Sequence, residues 1–204
     1  LGDVYKRQDY GVPQHRRRLV LLASRFGKID LIPPLYDEEH YITVRDAIGH
    51  LQPIEAGEIC INDSLHRSSA LSEINMERIR QSVPGGTWRD WDENLKLRCH
   101  RKASGATFPS VYGRMEWDRP SPTMTTQFYG YGNGRFGHPE QDRAISLREG
   151  AILQSFPEDY IFADEQHPVK KRELGTHIGN AVPVELGRAI GISIQEHLKK
   201  MEVN

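Results

Sequence analysis

The stretch Asp9-Tyr10-Gly11-Val12-Pro13-Gln14-His15-Arg16-Arg17-Arg18-Leu19-Val20-Leu21-Leu22-Ala23 decides how the rest of the chain is read. Gly11 and Pro13 mark a turn, and Leu19 to Ala23 is a short continuous apolar run, so the spacing predicts a buried strand of a parallel sheet entered from that turn. Alternate residues of an extended segment face one side, which puts Gln14, Arg16 and Arg18 on one surface and His15 and Arg17 on the other. A guanidinium at a sheet edge can donate to a phosphate, or to an oxygen that gains charge during a reaction. A solvated basic turn that merely satisfies backbone groups is an equally good account of this segment alone.

Outward from the strand, Pro33-Pro34 marks an exit into other structure. Thr43-x-x-Asp46 is a capping signal for a short helix through Leu51. A second helix is expected from Ser69 to Ser82, with Leu71, Ile74, Ile79 and Val83 along one face, stopped by Pro84-Gly85-Gly86. Between Thr87 and Gly137 the chain is irregular, aromatic and glycine-rich, which predicts short strands and loops without a helix. Ser146-x-x-Glu149 is a capping box for a helix carrying Ala151, Ile152 and Leu153 and ending at Phe156-Pro157. A last helix is expected from an Asn180 N-cap, with Pro183 in its first turn and Val182, Leu186, Ala189, Ile190, Ile194 and Leu198 at helical spacing.

Composition narrows the classes further. Among 204 residues, 37% are hydrophobic, and 27 Lys and Arg face 28 Asp and Glu. The run Leu19 to Ala23 is far below the roughly 18 apolar residues of a membrane span, and no secretory leader opens the chain. Two cysteines are too few for a disulfide framework, so a reducing cytoplasm is the expected compartment. The charge is uneven: residues 1 to 30 carry seven basic and three acidic side chains, and residues 101 to 136 carry five and two. If the fold brings these two basic stretches together, an anionic polymer could lie between them. No zinc-type spacing, P-loop or serine-hydrolase elbow occurs. Gly130-x-Gly132-x-Gly134 reads as a loop, and Cys60 and Cys99 read as structural.

Three segments taken together, YGVPQHRRR at 10–18, HPEQDRAISLREGAILQSFPEDYIF at 138–162 and HIGNAVPVELGRAI at 177–190, resemble the last three blocks of the DNA (cytosine-5)-methyltransferase family, in that family's order. RMEWDRPSPTMTT at 114–126 resembles the end of its target-recognition region. The resemblance implies an α/β fold: the C-terminal part of a Rossmann-like, S-adenosylmethionine-dependent methyltransferase domain, plus an irregular, mostly β target-recognition domain. It divides the chain into residues 9–45, ending the catalytic domain, 46–137 as the recognition domain, and 138–204 as the helical return. The opening octet LGDVYKRQ, residues 1–8, resembles a translated sequencing-adapter read-through.

Residue by residue, Gln14, Arg16 and Arg18 match the family's QxRxR block, whose arginines hold the flipped cytosine and stabilise charge on its O2 oxygen while a cysteine thiolate adds to the ring. Gln14 is assigned to positioning. Asn180, with Ala181, matches the block that lines the S-adenosylmethionine pocket. Glu149 and Arg148 read as structural. Arg101, Lys102, Arg114, Arg119 and Arg135, with Thr123 and Thr125, are the candidate contacts to duplex DNA.

The family's cofactor-binding glycine loop, its Pro-Cys nucleophile block and its Glu-Asn-Val block have no counterpart here. The expectation is therefore a C-terminal portion of a cytosine-5 methyltransferase, inactive alone, with duplex DNA as partner and a cognate restriction endonuclease in the same system. The alternative is a DNA-binding specificity subunit that complements a separate catalytic chain.

Overall fold

A computed structural model describes residues 2–102, 105–164 and 166–202. Strand β1 (Gly2–Lys6) pairs antiparallel with β2 (Arg17–Leu21), with Val4 opposite Leu19 and Lys6 opposite Arg17. Among the described residues five α-helices follow: α1 (Val44–Ile48), α2 (Glu73–Gln81), α3 (Leu147–Leu153), α4 (Lys171–Asn180) and α5 (Val184–Glu202).

The strand reading needs correction. β2 belongs to an antiparallel two-stranded ribbon, and Leu19 and Leu21 are 66% and 69% exposed. An apolar run is buried on both faces only where layers cover it, and no described segment lies over these side chains.

Local signals served better. Thr43 caps α1 through a reciprocal box with Asp46, and Ser146 caps α3 through one with Glu149. α3 is buried along its whole length, and it anchors the main core. Val44 and Ile48 of α1, Leu147, Ala151 and Leu153 of α3, Ile178 of α4 and Met115, Met124, Phe128 and Phe136 pack together there. Ile79 of α2 anchors a second cluster with Trp88, Trp91, Leu95 and Tyr131. α2 begins later than expected, and Ile74 and Val83 lie exposed. A third cluster joins Tyr10 and Val12 to Leu186 and Ala189 of α5.

The central region is not mostly β. Among its described residues are α2, short 3-10 turns at Trp88–Asp90, Glu93–Leu95, Gly105–Thr107 and Tyr131–Asn133, and single-residue bridges linking Pro84 to Arg114, Arg114 to Gly137 and Gly137 to Ala144. Arg114 supplies the physical reason. Its buried guanidinium donates to the carbonyls of Ile79, Ser82, His138 and Gln141, so a side chain does the joining that a ladder would otherwise do.

The C-terminal reading is corrected as well. Asn180 is the last residue of α4, and the final helix starts after Pro183. α4 lacks a capping side chain and contains Gly175 and Gly179, so nothing local announces it. Gly179 is required by packing: a Cβ there would collide with the backbone of Thr125 and Thr126.

Candidate functional site

A cavity of about 320 Å3 opens between β2 and the α4–α5 turn, lined by Arg7, Arg16, Arg18, Leu19 and Val20 on one side and by Gly179, Asn180, Ala181, Val182, Leu186 and Ile190 on the other. It brings together four candidates chosen from sequence, Arg16, Arg18, Asn180 and Ala181, from segments more than 160 positions apart.

Gln14 is not in this wall. Its side chain is fully buried, its Nε2 donates to Gln154 Oε1 at 3.1 Å, and its Oε1 accepts from the Met124 backbone N–H at 3.3 Å. Gln154 in turn donates from Nε2 to the carbonyls of Ile178 at 2.8 Å and Gly179 at 3.3 Å. The backbone N–H of Val184 reaches the Gln154 carbonyl at 3.4 Å, and that of Glu185 reaches Ser155 Oγ at 3.1 Å. Two buried amides therefore tie the arginine segment to the turn that carries Asn180.

The electrostatics of the cavity are one-sided. Among the described residues three guanidinium groups line it and no carboxylate does. Burial, with the neighbouring charge of Arg18, lowers the Arg7 guanidinium to about 10. Arg16 donates from Nη1 to the Met124 carbonyl at 3.2 Å, while the buried Nε atoms of Arg7 and Arg16 have no hydrogen-bond partner among the described residues. A buried donor without an acceptor is costly, so this wall suits an electron-rich oxygen. Leu19, Val182, Leu186 and Ile190 supply apolar surface beside it. Asn180 is exposed at the rim.

The other candidates separate into groups. His15 pairs with the 121–123 segment, donating its N–H to the Ser121 carbonyl at 2.7 Å and accepting from Thr123 Oγ1 at 2.8 Å. There His15, Arg119 and Arg135 line a second opening of about 370 Å3 with Glu116, Pro120 and Pro122. The fold thus brings the two basic stretches together. Arg119 is exposed, 3.4 Å from Glu116, and Arg135 is half-buried and donates to the carbonyls of Gly86 and Arg114. Thr125 is exposed, its Oγ1 accepting from the Gln127 N–H. Arg101 and Lys102 are exposed and line neither opening. Arg114 is corrected from a DNA contact to a structural residue: besides its four carbonyls it pairs with Asp142, and it is 5% exposed.

Behind the site, Arg143 grips Glu149 with two bonds of 2.7 Å, both residues being buried. Burial would raise the Glu149 carboxyl, but Arg143 and the Ser146 N–H bring it down to about 2. Burial lowers His138 to about 4 despite Glu149 at 3.7 Å, and its Nδ1 accepts from the N–H groups of Glu140 and Gln141. Arg148 pairs with Asp63 at 2.6 Å. Cys60 is buried, donating to Gln52, whereas Cys99 is exposed, contrary to its structural reading, and neither lines the cavity. Gln154 escaped the sequence reading; the one signal was a polar residue directly after the apolar Ala151-Ile152-Leu153.

Comparison with known proteins adds three findings. A family model described as C-5 cytosine-specific DNA methylase matches residues 2–196. The chain is 57% identical over 191 residues to the Type II methylase M.HgiDII of Herpetosiphon aurantiacus, covering 94% of this chain and 54% of that protein. It is 42% identical to the Type II methyltransferase M1.BsuMI of Bacillus subtilis over 93% of this chain and 42% of that one. This chain thus spans about half the length of these bacterial relatives. A solved structure of a putative DNA modification methyltransferase encoded within an Escherichia coli prophage shares the fold, with a TM-score of 0.63, 20% identity, and coverage of 97% of this chain and 60% of that one.

Proposed function

Because the chain belongs to the C-5 cytosine-specific DNA methylase family, we propose that it supplies the DNA-facing and cofactor-closing part of an enzyme that methylates cytosine at carbon 5 in duplex DNA. The observation that carries this reading is the single cavity holding Arg16 and Arg18 on one wall and Asn180 and Ala181 on the other.

The residues fit both bound groups. A flipped cytosine offers its O2 oxygen as a further acceptor for the Arg16 guanidinium, whose Nε has none among the described residues, and charge building on that oxygen favours a fixed cation beside it. S-adenosylmethionine supplies the methyl group when bound; Asn180 and Ala181 would face it, with Val182 and Leu186 as apolar support. Gln14 holds the arginine segment in register through Gln154, and His15, Thr123, Arg119 and Arg135 form the rim along which the DNA backbone runs. The Type II names of the bacterial relatives support a modification role beside a restriction endonuclease.

A thiolate nucleophile is needed from outside the cavity wall, since neither Cys60 nor Cys99 lines it. The purified chain is therefore expected to bind duplex DNA, with an affinity that falls as salt rises, and to transfer no labelled methyl group. Methyl transfer by the chain alone, or failure to bind DNA, overturns this reading.

A further inference from the structure

The opening that holds His15, Arg119 and Arg135 contains one group that does not suit a phosphate track. Glu116 lies in it with Pro120 and Pro122, and it is the one carboxylate there among the described residues. Its Oε1 stands 3.4 Å from Arg119 Nε, and its charge offsets part of the lowering that burial imposes on the Arg135 guanidinium. An ion pair this exposed adds little to stability, and a carboxylate facing DNA repels phosphate at close range. Neither the fold nor a backbone contact accounts for an acid at this position.

The local structure holds Glu116 firmly. Side chains alternate along residues 115–117: Met115 lies in the main core, Trp117 packs against it, and Glu116 lines the opening. The Met115 N–H donates to the Gly137 carbonyl at 2.8 Å, and the Trp117 carbonyl accepts from the Arg45 N–H at 2.9 Å. Gly85 has a left-handed φ of +74°, and a Cβ there would lie 2.9 Å from the Glu116 carboxyl carbon, so this glycine leaves the carboxylate its seat. The opening also adjoins the candidate cavity, because His15 lines the one and Arg16, the next residue, lines the other.

We propose that Glu116 is a specificity-determining residue, accepting a hydrogen bond from the N4 amine of a cytosine in the major groove close to the cytosine that is methylated. An ionised carboxylate only accepts. The donors that base pairs display are their exocyclic amines, cytosine N4 and adenine N6 in the major groove and guanine N2 in the minor groove. Adenine sets its N7 acceptor beside the amine, which repels a carboxylate, whereas cytosine presents N4 with no such acceptor on its own base. Arg119, with 73% of its side chain exposed, reaches past Glu116 to the phosphates and fixes the register in which the acid reads. This inference rests on the function proposed above, since it needs duplex DNA in the opening.

The test is selection of binding sites by the tagged chain from duplexes carrying a randomised segment, with sequencing of the bound fraction. The parent is expected to enrich a site with a C·G pair at one fixed position. Glu116→Ala should weaken the preference there by about fivefold or more and keep the others. Glu116→Gln should move it toward adenine, since a carboxamide pairs with adenine N6 and N7. Both variants should melt as the parent does and bind unrelated duplexes at least as tightly, because a repelling charge is gone. Tighter binding with every base preference kept would make Glu116 a mere neutraliser of Arg119 and overturns the proposal. So does loss of the preference when inosine, which lacks the N2 amine, replaces guanine in the selected duplex, because the contact is then in the minor groove. A parent that binds duplexes without preferring any base overturns the proposal and leaves DNA binding standing, whereas a parent that binds no DNA overturns the function proposed above as well.

Discussion

Gln14 and Gln154 meet amide to amide in the interior, Gln14 Nε2 donating to Gln154 Oε1 at 3.1 Å across 140 positions of sequence. Each amide reaches a different part of the site, Gln14 the Met124 backbone and Gln154 the last carbonyls of α4. The arginine wall and the Asn180 turn are thus linked through this hydrogen bond, beside the packing of Tyr10 and Val12 on Leu186 and Ala189. Leaving a buried amide partner unsatisfied costs about 1–3 kcal/mol per group. Gln154→Leu should therefore lower unfolding stability by about 2–4 kcal/mol. A double-mutant cycle with Gln14→Leu should show coupling of about 0.5–3 kcal/mol, read by urea denaturation. Strict additivity would mean the two amides act separately.

The Arg143–Glu149 pair makes a different prediction. Both charges are buried, so Glu149→Ala leaves an unpaired guanidinium in the core and should cost about 3–5 kcal/mol. Glu149→Gln keeps the cap on α3 and should cost less. A Glu149→Ala variant as stable as the parent would mean that water or a rearranged partner reaches Arg143.

Acid should destabilise the fold in two stages. His138 is held down to about 4 from 6.5, so between these values the unfolded chain takes up the proton more readily and stability falls as pH drops. Glu149 is held down to about 2 from 4.5, so its contribution is complete above 4.5 and fades below it. Melting temperature should decline from about pH 6.5 downward, and His138→Asn should flatten the upper part of that decline. A profile of His138→Asn parallel to the parent between pH 6.5 and 4 would assign the loss to other groups.

Local sequence carried the capped helices well, because Thr43 with Asp46 and Ser146 with Glu149 act within one turn. It failed where structure depends on distant neighbours. The Leu19–Ala23 run has a core strand's composition, but burial requires a covering layer. α4 opens on Lys170 to Glu173 without a cap and is shaped by Gly175 and Gly179 fitting against Tyr129 and Thr125. In the site, resemblance named Arg16, Arg18 and Asn180 in separate blocks, but that they line one cavity was not legible. Gln154 was not, since a single glutamine after an apolar triplet does not reveal that its partner lies 140 residues away.

Arg114 and Arg119 illustrate the same limit and allow a direct contrast. Both stand in one basic stretch, and charge alone does not distinguish them. Arg114 holds four backbone carbonyls and Asp142 in the interior, so Arg114→Ala should lower the melting temperature steeply. Arg119 is exposed at the rim, so Arg119→Ala should leave melting unchanged, weaken DNA binding across all sequences and reduce the salt slope by about 1. Equal melting and binding effects for the two would dissolve the distinction.

Arg18 separates chemistry from binding. Its side chain is exposed at the cavity mouth and, among the described residues, donates only to the Arg17 carbonyl, at 3.2 Å, so its removal should leave the fold intact. If it stabilises charge that builds on cytosine O2, it acts mainly after the base has entered, when that charge develops. In an enzyme extended to the length of the Herpetosiphon relative, Arg18→Ala should therefore cut the methylation rate by about 10²–10³, in the range of losing one donor to a developing oxyanion. The DNA dissociation constant should rise less than tenfold, the scale of one surface phosphate contact. Single-turnover methyl transfer and a filter-binding titration on the same preparation give the two numbers. Equal losses in both would make Arg18 a phosphate contact, and the cavity a DNA-binding groove without a part in the chemistry.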